Sequence, residues 1–116
     1  IDIDPPNLEI TADETMMEQV FINLLRNAKQ AVGKEEHPQI KLKASYGNYG
    51  NVLLQVIDNG QGILPEVLEK IFIPFFTTKA SGSGIGLSLS RQLIRAQSGN
   101  ITATSNPGKT VFTVRF

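Results

Sequence analysis

The sequence has 116 residues, with 11 Lys and Arg against 11 Asp and Glu, and an apolar fraction of 41%. That length supports one compact core with little room for a second. The balanced, interspersed charge carries no nucleic-acid footprint and no membrane-surface helix, and without Cys there is neither a disulfide nor a thiolate metal site.

The lone His37 lies in the polar connector His37-Pro38-Gln39, cannot build a zinc site by itself, and reads as a solvated loop residue. No apolar run reaches membrane-spanning length, and no signal peptide is visible. The sequence starts without Met inside an extended pattern, so a piece of a longer protein is expected.

Residues 1–4 alternate like a short strand that Pro5-Pro6 ends, and residues 8–10 form a second extended piece. Residues 11–14 are a helix-start signal with Thr11 or Asp13 as cap. Met17, Val20, Phe21, Leu24, Leu25, Ala28 and Val32 then recur at helical spacing, and Gly33 is a stop. Residues 40–46 and 52–57 are strand-like runs joined by the turn 47–50, a predicted hairpin. Residues 58–63 read as a Gly-rich turn, 65–71 as a short helix and 72–83 as loop. Ile85, Leu89, Leu93 and Ala96 mark a second main helix ending near Ser98-Gly99, and 101–104 and 111–116 are terminal strands. The order predicts an α+β fold: a two-layer α/β sandwich whose mixed, mostly antiparallel sheet is covered on one face by helices. No βαβαβ alternation is present, which argues against a doubly wound sheet.

Four elements carry chemistry. Gln19, Asn23, Asn27 and Gln30 share one stripe of the first helix. A solvated stripe is usually Lys and Glu; Asn costs helix stability because its amide competes for backbone bonds, so two Asn point to a use. An amide oxygen is a hard ligand suited to Mg²⁺ that bridges phosphates. In Asp58-Asn-Gly60-Gln-Gly62-Ile63 the carboxylate can accept from an exocyclic amine while the glycines admit a flat ring; the bland alternative is an ordinary turn. Gly82-Ser83-Gly84-Ile85-Gly86-Leu87 stands ahead of the second main helix, where backbone N–H groups can face a phosphate; the alternative is a flexible linker. In residues 71–79, Phe72 and Phe75 are expected in a satellite core, which leaves Lys79 to reach a phosphate.

One match is rejected. Residues 103–110 fit a relaxed P-loop, but a P-loop needs a helix after it, and Val-Phe-Thr-Val-Arg-Phe is a strand pattern. The glycines at 82–86 likewise lack the spacing and the following acid of a dinucleotide fingerprint.

Together and in this order, the four elements resemble the catalytic ATP-binding domain of sensor histidine kinases, a branch of the GHKL superfamily. Residues 19–28 resemble its N box, 58–63 its G1 box, 72–79 its F box in the Pro-Phe-Phe-Thr-Thr-Lys form, and 82–87 its G2 box. The resemblance implies a single domain over residues 1–116 with an ATP lid at about 75–83. It implies ATP and Mg²⁺ as ligands. Asp58 would bond the adenine amine, with Gly60, Gly62, Ile63 and Thr110 around the base. Asn27 with Asn23 would hold the metal. Gly84 and Gly86, with Ser83, Ile85 and Leu87, would line the phosphate path, and Gln30 and Lys79 would complete the nucleotide contacts. Asn23, Asn27 and Lys79 would form the catalytic set.

Hydrolysing relatives place a Glu one turn before the metal-binding Asn; here that position is Asn23, which cannot take a proton. This favours transfer to a His on a separate dimerisation domain, and through it to a response regulator, over the alternatives of a GHKL ATPase or an anti-sigma-type serine kinase. A third alternative, a non-catalytic module, fits poorly with intact Asn27, Asp58 and Gly86. The resemblance also implies a monomeric isolated domain in the cytoplasm, of a parent either soluble or membrane-anchored. Three departures stand out: Gln30 where some kinases carry Lys, Gln97-Ser98-Gly99 in place of His-Gly-Gly, and a short turn with Lys109 before Thr110.

Overall fold

The computed structural model describes residues 1–77 and 84–116. Its five strands are β1 (Asp2–Asp4), β2 (Ile40–Tyr46), β3 (Val52–Asp58), β4 (Asn100–Asn106) and β5 (Lys109–Arg115), and its helices are α1 (Glu14–Ala31), α2 (Pro65–Leu68) and α3 (Gly86–Arg95). The sheet order is β1-β2-β3-β5-β4. β1 runs parallel to β2, and every other neighbouring pair is antiparallel. This is the expected mixed, mostly antiparallel sheet in a two-layer α+β arrangement.

α1 starts at Asp13, whose Oδ1 accepts the Met16 N–H at 2.8 Å, so Asp13 and not Thr11 is the cap. Its buried residues Met17, Val20, Leu24 and Ala28 follow the helical period. Along β3 burial alternates strictly, with Val52, Leu54, Val56 and Asp58 on the helix side. Phe112 and Val114 of β5 and Ile101 of β4 complete the core between sheet and helices.

One expectation is corrected, the length of the short helix α2: it is a single turn, shorter than the predicted 65–71. Residues 8–10 pair with no strand; Leu8 and Ile10 pack against the edge of the core. The buried side of α3 is Ser90 and Ile94, with Leu87 and Leu93 packed beside it, whereas Ile85 is exposed and Ala96 faces outward. A Ser can occupy that buried line because its hydroxyl donates to the Gly86 carbonyl one turn back at 2.8 Å.

β5 enters the sheet between β3 and β4. That single crossover decides the site, because it lays Thr110 directly beside Asp58. It also confirms that the residues after Thr110 are a strand and no P-loop helix.

Candidate nucleotide site

One end of the candidate site is built around Asp58, the last residue of β3, which is 3% exposed. The Gly60 N–H donates to Asp58 Oδ1 at 2.9 Å and closes an Asx-type turn that fixes the carboxylate. Gly60 is packed so tightly on the end of α1 that a Cβ would stand 2.5 Å from the Ala31 carbonyl oxygen. The same residue accepts the Gly108 N–H at 3.0 Å, and Gly62 lies against the Asn106 backbone. The turn after β3 is thus clamped between the C-terminus of α1 and the β4–β5 turn. Thr110, also 3% exposed, completes this end, and Ile63 is half-buried beside it.

The other end is the start of α3. No described side chain caps this helix: its N-cap residue is Ile85, which offers no cap hydrogen bond. First-turn N–H groups left without intrahelical partners, with the positive end of the helix dipole, favour an anion. Gly84 adopts φ +76, and a Cβ there would stand 2.5 Å from the Phe75 carbonyl carbon, so this position admits only glycine. The reason is a direct tie: the Phe75 N–H donates to the Gly84 carbonyl at 2.7 Å.

The two ends are joined by α1. Asn23, half-buried, donates from Nδ2 to the Gly86 carbonyl and to Ser90 Oγ, each at 3.2 Å, while its Oδ1 accepts from Gln19 Nε2 at 3.3 Å. Asn27 follows one turn later on the same stripe, and Ala31 touches Gly60. From Asn23 to Ala31 the helix rises ~12 Å, at 1.5 Å per residue. The stripe therefore leads from an anion-favouring helix start to a buried carboxylate, a layout suited to an elongated ligand with phosphates at one end and a polar base at the other.

The structure brings together Asn23, Asn27, Asp58, Gly60, Gly62, Ile63, Gly84, Gly86 and Thr110 along this line. Gln30 is exposed near the end of α1 and Leu87 is half-buried at the first turn of α3. Lys79 and Ser83 lie outside the described residues, as does the lid beyond Thr77. Phe72 packs on the core as expected, under Arg91, whose guanidinium carbon lies 5.3 Å from the ring centre. Phe75 does not: it is 77% exposed, because its φ of +67 and its tie to Gly84 turn the side chain outward.

Three residues escaped the sequence reading. Asn59 accepts the Gln39 N–H and donates to the His37 carbonyl, both at 2.8 Å, and so anchors the Asp58 turn to the connector before β2. Ser90 is the inner partner of Asn23. Ser105 accepts the Ile63 N–H at 2.8 Å and lies 2.7 Å from Thr110 Oγ1. An Asn after Asp58 was a visible turn signal; the two Ser carried no local sign. Gln97, part of the departure from His-Gly-Gly, accepts the Asp13 N–H at 2.7 Å and braces the two helices away from the site. A groove of about 550 Å³ lined by Ile10, Met17, Phe21 and Leu25 opens elsewhere on α1 and shares none of the site residues.

The family model described as histidine kinase-, DNA gyrase B-, and HSP90-like ATPase matches residues 12–116. The chain belongs to that family. Within it, the similarity runs to sensor histidine kinases. C4-dicarboxylate transport sensor protein DctB of Rhizobium meliloti (strain 1021) is 38% identical over 98% of this chain and 18% of its own length. Sensory histidine kinase/phosphatase NtrB of Vibrio alginolyticus is 34% identical over 97% of this chain and 35% of its own length. The solved catalytic domain of histidine kinase ThkA superposes with a TM-score of 0.85 at 37% identity, covering 99% of this chain and 74% of that one. Full-length ShkA in complex with AMPPNP superposes with a TM-score of 0.78 at 29% identity, over 97% of this chain and 24% of that one. The chain thus spans between about a sixth and about a third of the length of these two curated relatives. The fold is that of the histidine kinase catalytic domains, as the ordered motifs implied. Among the described residues no helix is long and apolar enough to cross a membrane.

Proposed function

We propose that this domain binds Mg-ATP and donates the γ-phosphoryl group to a histidine on a separate dimerisation domain of the same protein, as a step in two-component signalling that ends on a response regulator. The observation that carries the reading is the joining of Asn23 to Gly86, which sets the Asn stripe of α1 against the open start of α3. The likeness to ShkA, solved with a non-hydrolysable ATP analogue, points the same way.

In this reading Asp58 accepts from the adenine amine, with Gly60 holding the carboxylate in place and Thr110 beside it. The phosphates run along α1 to the first-turn N–H groups of α3, past Gly84 and Gly86. Asn27 and Asn23 would hold Mg²⁺ through their amide oxygens. The donor set fits: neutral oxygens lie on one stripe, and no cluster of three acidic or His residues exists among the described residues, as suits a cation held mainly by phosphates and water. The chemistry such a Mg²⁺ would supply there is charge neutralisation on the phosphates. Lys79 adds a second positive charge, and residues 75–83 act as the lid. Domain bounds of 1–116, a monomeric isolated domain and a cytoplasmic setting complete the proposal.

Transfer is favoured over hydrolysis on chemical grounds. The hydrolase position is Asn23, and its amide nitrogen is engaged with Gly86 and Ser90. No carboxylate stands on the stripe Gln19, Asn23, Asn27 and Gln30 to activate water. What remains is positioning and charge neutralisation, the main contributions to phosphoryl transfer. The test is incubation of the parent protein with labelled ATP. Acid-labile, base-stable label is expected for phosphohistidine; acid-stable label would assign a serine kinase, and free phosphate without protein label an ATPase.

A further inference from the structure

We propose that Asn59 is a positioning residue for ligand recognition: its side-chain oxygen takes the place of its own backbone carbonyl in the β2–β3 ladder, and this releases the peptide to Gly60 to hold the Asp58 carboxylate. The inference rests on the adenine reading of Asp58 and adds to it what sets the direction of that carboxylate.

The register of β2 and β3 ends with Ile40 opposite Asp58. One more rung would pair Gln39 with Asn59, each giving its N–H to the other's carbonyl. Half of that rung is present, since the Asn59 N–H donates to the Gln39 carbonyl at 3.2 Å. The other half is made by a side chain. The Gln39 N–H donates to Asn59 Oδ1, and Asn59 Nδ2 donates to the His37 carbonyl, each at 2.8 Å. A backbone N–H can only donate and a carbonyl can only accept, so the orientation of this amide is fixed from both sides.

This exchange frees the next peptide. The Asn59 carbonyl and the Gly60 N–H belong to one planar trans peptide and point in opposite directions. A carbonyl turned to Gln39 would keep that peptide in the plane of the sheet, with the Gly60 N–H directed away from β2. The Asp58 side chain stands on the helix side, out of that plane. With the Gln39 N–H satisfied by Oδ1, the peptide can turn, and the Gly60 N–H reaches Asp58 Oδ1 at 2.9 Å.

The residue type follows from the two bonds. Asn offers an acceptor and a donor on one short side chain. Asp would supply the oxygen but set a second negative charge against the His37 carbonyl, and Ala would return the Gln39 N–H to the backbone carbonyl. Asn59 does not touch the ligand in this account; it acts through Gly60 on Asp58.

The experiment is calorimetry of ADP and of purine riboside 5′-diphosphate, which has hydrogen in place of the exocyclic amine, on the wild type, Asn59→Ala and Asn59→Asp. Amide exchange at Gly60 is read by NMR on the same proteins, and thermal melts check folding. The wild type is expected to prefer ADP by about tenfold or more, the worth of one hydrogen bond to a charged group, and to protect the Gly60 amide. Asn59→Ala is expected to bring the preference within about twofold and to speed Gly60 exchange at least about tenfold. Asn59→Asp, which keeps the oxygen, is expected to hold the preference within about threefold of wild type. An Asn59→Ala protein that loses affinity for both ligands equally, with preference and Gly60 protection intact, would overturn the proposal. Equal loss of preference in the Ala and Asp variants overturns it too, because the oxygen would then not be what matters. A wild-type Gly60 amide that exchanges as fast as in an unfolded chain overturns it without any variant. Failure of the adenine reading looks different: the wild type would bind the two ligands equally, or neither, while its Gly60 amide stays protected.

Discussion

Asn23, in the middle of α1, holds the first residue of α3 by donating to the Gly86 carbonyl at 3.2 Å, and its second amide proton goes to Ser90 Oγ. The contact is structural before it is functional. Asn23→Ala removes both bonds and is expected to lower stability by about 1–3 kcal/mol. Urea denaturation measures this directly, and nucleotide affinity should fall with it because the start of α3 loses its brace. Unchanged stability and unchanged affinity together would remove Asn23 from the account.

Asp58→Ala is expected to abolish binding of ADP and ATP by the isolated domain. Asp58→Asn, which keeps an acceptor oxygen for the Gly60 N–H, should fold as well as wild type and bind more weakly. Calorimetry that finds Asp58→Ala binding ATP like wild type contradicts the adenine assignment.

Asn27→Ala is expected to remove most of the Mg²⁺-dependent part of ATP affinity while leaving metal-free ADP binding within about twofold. Titrations with Mg²⁺ and with a chelator separate the two. The same metal dependence in mutant and wild type would assign the cation to other residues.

Two glycines should respond to Ala for different reasons. At Gly60 the new methyl would meet the backbone oxygen of Ala31 at 2.5 Å, so the turn or the end of α1 must shift; about 1–3 kcal/mol of stability and much of the nucleotide affinity are expected to go. At Gly50 nothing lies within 4 Å and only the φ of +78 is strained, so about 1 kcal/mol is expected with no change in affinity. Equal melting temperatures for the two variants would contradict the contact at Ala31.

The local elements were legible because their signals are local. The period of Met17, Val20, Leu24 and Ala28, the alternation of β3 and the turn glycines each act within a few residues. The ordered motifs were readable for the same reason, since the residues of each lie close together in the chain. Where the reading failed, a long-range partner had intervened. Phe75 reads as an aromatic core residue, but its N–H is drawn to Gly84, which turns the ring outward. Ser90 carries no local sign of burial, but Asn23 of another helix and the Gly86 carbonyl satisfy its hydroxyl and let it be fully buried. The spacing of 85, 89, 93 and 96 marked α3 as a helix but not the face by which it packs, which is Leu87, Ser90, Leu93 and Ile94.

By itself, then, the sequence determined the element types, the polar stripe on α1, the Gly-rich turn that Asp58 opens and the glycine-rich start of α3, along with the family these motifs mark. Only the tertiary structure decided how they meet. Placing β5 between β3 and β4 puts Thr110 beside Asp58 and Ser105 beside Thr110, and no local pattern encodes that order. Strand order depends on which whole faces bury the most apolar surface together and which hydrogen bonds remain to be satisfied, a choice made by the complete chain and not by any segment of it.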